Sequence, residues 1–107
     1  MAWYMIQLGY RPEAWGALIA NPQNRIDTVR PVIEGLGGKI HQGWLTFGEY
    51  DLVAFAEMPD NVSAAAFLIA VEAGGAVEDF KTTPLLTMDE AIAAMKKAGT
   101  VGYKPPK

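Results

Sequence analysis

One histidine, His41, and no cysteine stand in a chain of 107 residues. That inventory already narrows the chemistry. Without cysteine there is no thiolate nucleophile, no disulfide and no thiolate-ligated metal, and the redox compartment is left open. A single imidazole excludes multi-histidine metal sites, and any Ser-His-Asp relay would have to run through His41. As a general base or a haem ligand, His41 needs a pocket and an orienting partner. As an ordinary strand residue between Ile40 and Gln42, it needs only solvent or a hydrogen bond.

The remaining candidates are few. Glu49, Asp51 and Glu57 crowd around a predicted turn. Such carboxylates can share acid–base work or hold a divalent cation, although acidic turns commonly serve solubility alone. Asp51, with Tyr50 before it, has a structural role open to it: at a strand start its carboxylate can accept backbone or hydroxyl donors and lock the turn. Arg25 and Arg30 can clamp a carboxylate or phosphate bidentately. The plainer expectation is that they pair with Asp27 or Glu34. Trp3, Trp44 and Phe47 can line an apolar cavity, or fill core or interface. The run Gly35-Leu36-Gly37-Gly38-Lys39 looks like a phosphate loop, but it leaves a helix and enters a strand, and no Ser or Thr follows Lys39. It reads as a helix stop. No metal and no cofactor is expected from this set.

The composition bounds the partners. Nine basic residues against twelve acidic give a net charge of −3, which speaks against a nucleic-acid binder. Half the residues are hydrophobic and 20% are charged, the balance of one folded domain. The N-terminus lacks a basic start, and Gln7 interrupts its apolar stretch, so no secretory leader is expected. The most apolar run, Ala64 to Ala73, falls well short of the ~20 residues a membrane helix needs. A cytoplasmic, bacterial-type protein is the default expectation, with no membrane partner.

The elements that would position these groups follow from periodicity and punctuation. Trp3 to Tyr10 predicts a strand, and Pro12 opens a helix that Asn21-Pro22 ends. Ile26, Val29, Ile33 and Leu36 predict a second helix from about Gln23, with Pro31 inside it and Gly37-Gly38 as its stop. Ile40 to Phe47 and Leu52 to Met58 predict an antiparallel hairpin. Asp60 or Asn61 caps an alanine-rich helix that ends at Gly74-Gly75. Ala76 to Leu86 predicts a fourth strand, with Thr82-Thr83-Pro84 on an edge. Thr87 and Glu90 form a capping box for a last helix, whose Ile92 and Met95 are expected on its buried side. The predicted fold is α+β: a ferredoxin-like β-α-β-β-α-β unit with a four-stranded antiparallel sheet and an extra C-terminal helix. Residues 1–99 form the domain, and 100–107 form a loose tail.

One sheet face should be covered by helices and the other should be polar. The strands do not comply. Leu52, Ala54, Ala56 and Met58 fill one face of the third strand, while Val53 and Phe55 fill the other. A second apolar face predicts a homodimer, or a higher assembly, packed sheet on sheet.

The hairpin Leu45-Thr46-Phe47-Gly48-Glu49-Tyr50-Asp51-Leu52-Val53 closely resembles the motif that names the GYD domain family, with Gly48, Tyr50 and Asp51 as the motif residues. The resemblance extends through Asn21-Pro22…Arg25, Arg30 to Lys39 and Thr83 to Thr87, to about Ala98. It implies a ferredoxin-like domain of the dimeric α/β-barrel type, in a family without an established activity. A more distant likeness is to the ligand-sensing domains of Lrp/AsnC-type regulators, whose helix-turn-helix module has no counterpart before the first strand here. The expected function is an oligomeric domain that binds a small molecule or serves structurally, with Arg25, Trp44, Tyr50 and Asp51 as ligand-binding candidates. The alternative is a small cofactor-light monooxygenase or isomerase with His41 as its acid–base residue. Fold alone does not choose between them.

Overall fold

Alternation decides which side of each strand is buried. In the computed structural model, which describes residues 1–107, β1 (Ala2–Tyr10) buries Tyr4, Ile6 and Leu8 and leaves Trp3, Met5 and Gln7 half-exposed. Strand β3 (Leu52–Met58) does the same with Ala54, Ala56 and Met58 against Val53, Phe55 and Glu57. These two strands form the sheet's centre, flanked by β2 (Lys39–Leu45) and β4 (Val77–Leu85) in the order β2-β3-β1-β4, and every neighbouring pair is antiparallel. With the intervening helices this is the ferredoxin-like arrangement expected. Pro84, which cannot donate to a ladder, sits on an edge strand where that omission is tolerated.

The first crossover is made of two helices, α1 (Pro12–Ala20) and α2 (Arg25–Gly35), and the second of one, α3 (Asn61–Ala73). Each begins as its sequence directs. Pro12 occupies the first turn of α1, the Asn24 side chain accepts from the Ile26 N–H at 3.0 Å, and Asp60 accepts from the Ser63 N–H at 2.8 Å. Pro31 lies inside α2, which runs on to Gly35; Gly37 then takes φ +84° and turns the chain into β2.

The core lies between sheet and helices. Ile33 of α2 is fully buried, among Tyr4, Ile6, Ile40, Ala56, Met58 and Phe67. Burial of a side chain this size stabilises by roughly 1.5–3 kcal/mol. The Tyr4 hydroxyl donates to Asn61 Oδ1, which ties the central strand to the first turn of α3. Close approach of α2 to the sheet depends on Gly43, because a Cβ there would collide with Ile26.

The last helix, α4 (Met88–Ala98), starts at the expected capping box: the Thr87 hydroxyl accepts from the Glu90 N–H at 3.1 Å, and Glu90 Oε1 accepts from the Thr87 N–H at 2.9 Å. Its packing differs from expectation. Ile92 and Met95 are exposed, and no residue of α4 is buried. The helical face of the sheet is already occupied by α1 to α3, and α4 makes no more than marginal contact with any other element. The radius of gyration, 17.2 Å, accordingly exceeds the ~13 Å of a compact chain this long. No helix is long and apolar enough to cross a membrane.

Candidate functional site

Small side chains leave space between the sheet and its helices. Ala54 on the floor, Ala14 and Ala17 on α1, and Ala70 with Gly74 at the end of α3 surround a cleft of about 430 Å³. Leucines at these places would fill it. Sixteen of the nineteen lining residues are hydrophobic, and the volume falls in the range of small-molecule sites. The alanine-rich stretch that reads as mere helix former in the sequence is therefore part of what makes the cavity.

Only one lining side chain carries a charge. Arg25, the first residue of α2, is partly buried at the rim, beside Gln23. Its Nη1 donates to Gln23 Oε1 at 3.0 Å. No carboxylate lies within ion-pairing distance, for the one ion pair in the chain joins His41 and Glu57. The expected pairing of Arg25 and Arg30 with Asp27 or Glu34 is thus corrected. Arg25 and Asp27, two apart, point to different sides of the helix; Arg30 and Glu34 lie one turn apart, but Arg30 is drawn instead to the Ile40 carbonyl, to which it donates at 2.9 Å. A cation in the first turn also opposes the helix macrodipole, so Arg25 does not sit there for the helix's benefit.

Tyr10 forms the other polar point of the rim. Its ring meets Trp15 edge-on, with centroids 5.2 Å apart. Burial is the main reason its hydroxyl is held above the ordinary tyrosine pKa; Asp51 adds to this and Arg25 opposes it. The phenol stays neutral and keeps a hydrogen to donate. A second cleft of about 330 Å³ adjoins the first, shares Tyr10, Gln23 and Arg25 with it, and adds Trp15, Pro22 and Trp44. Trp44 also meets Phe55 edge-on, centroids 6.0 Å apart.

The hairpin motif reaches the cleft indirectly. Gly48 takes φ +109°, a conformation that favours glycine. Thr46 donates twice across the turn, its hydroxyl to the Tyr50 carbonyl and its N–H to the Asp51 carbonyl, each at 2.8 Å. The Asp51 N–H donates to the Leu8 carbonyl at 2.8 Å, and its carboxylate accepts from the Tyr10 N–H at 2.8 Å. Between Gln7 and Gly9 the register of β1 with β4 shifts by one residue before pairing resumes at Gly9 and Tyr10, so Asp51 holds β1 just past this irregularity. Tyr50 and Asp51 line neither cleft; Asp51 fixes the residue that lines both.

His41 lies elsewhere. It stacks on Trp3, with centroids 4.3 Å apart, and its Nε2 meets Glu57 Oε1 at 2.8 Å. Trp3 pairs with Glu57 across β1 and β3, which puts all three on the half-exposed side of the sheet, away from the helices. His41 lines neither cleft. Phe47 is almost wholly exposed at the turn. Glu49, Asp51 and Glu57 do not converge, and no three acidic or imidazole groups gather to hold a cation.

The residues assembled at the clefts are thus Arg25 and Trp44, as sequence suggests, together with Tyr10 and Gln23, which it does not single out. Their signal was a Gly-Tyr step at the end of a strand and a polar residue just before a helix cap. A family model for the GYD domain matches residues 4–95, so the chain belongs to the GYD domain family. No curated protein and no solved structure matches it.

Proposed function

We propose that this member of the GYD family binds a small apolar carboxylate in the cleft between sheet and helices, with the carboxylate on Arg25. The observation that carries the reading is the isolation of Arg25, the only charged side chain on an otherwise apolar cavity and without an acidic partner. A guanidinium offers five donors in a planar fork, and here one of them is seen engaged, by Gln23. A carboxylate would take two more in parallel, and the neutral Tyr10 hydroxyl adds a donor nearby. The apolar walls accept an aliphatic or aromatic body. Thermal unfolding with hexanoate, octanoate and benzoate, each beside its neutral amide, tests this. Saturation at 100 times the dissociation constant stabilises by about 2.7 kcal/mol, which moves Tm on the order of 10 °C. Equal response to acid and amide, or none to either, ends the reading.

The same domain is proposed to act as an oligomer of its own copies. Trp3, Met5, Val53 and Phe55 leave the helix-free side of the sheet apolar and only half-covered, and two such faces can pack against each other about a twofold axis. Light scattering at micromolar concentration should give a multiple of 11.6 kDa. A monomer at that concentration removes this part.

The alternative, a cofactor-light monooxygenase or isomerase, draws on one observation, the His41–Glu57 hydrogen bond. A carboxylate-oriented imidazole suits acid–base work, but His41 lines neither of the two clefts described above.

A further inference from the structure

We propose that α4 is an association arm that pairs antiparallel with α4 of a second copy of this chain. The inference is independent of the ligand reading. It begins with an imbalance of surface. The chain exposes 7386 Å², whereas a compact monomer of 11.6 kDa exposes about 5,800 Å². The excess of roughly 1,500 Å² is about twice what one partner buries in a standard interface, ~800 Å². Part of it lies on α4, the most strongly amphipathic of the four helices, where Met88, Ile92 and Met95 are 75%, 47% and 66% exposed. Their spacing of four and then three residues makes one continuous stripe, the kind of seam that buries against another helix.

The edges of that stripe select the occupant. At 100° per residue, Asp89 and Lys96 fall on one edge, seven positions apart, and Ala91 and Ala98 fall on the other. In an antiparallel pair, like edges face each other, so Asp89 of each copy meets Lys96 of the other. In a parallel pair, unlike edges meet, and both charges would face alanines. Antiparallel pairing also sets the two helix dipoles head to tail, so that Asp89 in the first turn lies beside Lys96 in the partner's last turn. A copy of the same helix is therefore the complement that α4 itself specifies.

The absence of cysteine makes the test direct. With Asp89 opposite Lys96, the twofold axis passes near residues 92 and 93. Two copies of residue 92 then lie side by side, and two copies of residue 88 lie about 13 Å apart along the helix, beyond the ~7 Å that a disulfide spans. Ile92→Cys, Met88→Cys and, as a collision control on α3, Val62→Cys would each be oxidised mildly in the full chain. All three positions are exposed, so folding is not at stake. The proposal expects Ile92→Cys to form covalent dimers at least tenfold faster than Met88→Cys, with Met88→Cys no faster than Val62→Cys. Comparable rates at 88 and 92 would mean parallel pairing and overturn it. Background rates at both would place α4 against another surface or none, and overturn it equally.

Discussion

The Asp51 carboxylate accepts the Tyr10 N–H at 2.8 Å, so the acid of the hairpin turn holds in place a ring that lines both clefts. Hydrogen bonds to charged groups are worth about 1.5–3 kcal/mol. Asp51→Ala should destabilise the fold by about that much in urea unfolding. Asp51→Asn, which keeps an acceptor, should lose less than half as much. Equal losses would mean that the side chain acts through packing instead of this bond.

Gly43 predicts a steric coupling. Gly43→Ala drives a methyl group into the Ile26 side chain and forces it to shift, at a cost of about 1–3 kcal/mol. In an Ile26→Ala background the added methyl has room, so the double-mutant cycle should show an interaction of at least 1 kcal/mol. Strictly additive effects would contradict the contact.

Asp60 and Glu90, both held low by backbone N–H donors, shape the acid end of the stability–pH profile, and Tyr10 shapes the alkaline end. The Ser63 N–H holds the Asp60 carboxyl below its ordinary pKa. Its contribution is therefore complete above the ordinary carboxylate range and is lost as pH falls through the depressed value. Tyr10 is raised, chiefly by burial, so its contribution is complete below the ordinary tyrosine value near 10 and is lost as pH rises through the raised one. Thermal melts across pH should show Asp60→Asn flattening part of the acid limb, with Glu90 keeping the rest, and Tyr10→Phe flattening the alkaline limb alone.

Much of the fold was legible because its signals are local. The Thr87–Glu90 capping box, the Asp60 cap and the left-handed Gly37 each depend on a few consecutive residues, and all stand where the sequence puts them. The strand faces followed from alternation, and Asp51 locks its turn by accepting a backbone donor, as its place at a strand start suggested. The site was less legible. Arg25 has Asp27 two residues on in sequence, and the helix's rotation carries that acid to another side. The cleft exists because alanines from three elements meet, and no single segment carries that information. For α4, periodicity marks the apolar stripe correctly but says nothing of what lies opposite. Ile92 and Met95 were for that reason expected to be buried within the chain.

Recognition of a carboxylate by Arg25 at the rim of the apolar cleft can be read from calorimetric titration of octanoate into the wild-type chain and into Arg25→Gln. Losing a charge-assisted hydrogen-bond pair worth about 1.5–3 kcal/mol predicts a 10- to 150-fold weaker dissociation constant for the variant, with octanamide binding both proteins alike. Octanoate binding of equal strength to both proteins, or no binding to the wild type, would mean that Arg25 is not a carboxylate site.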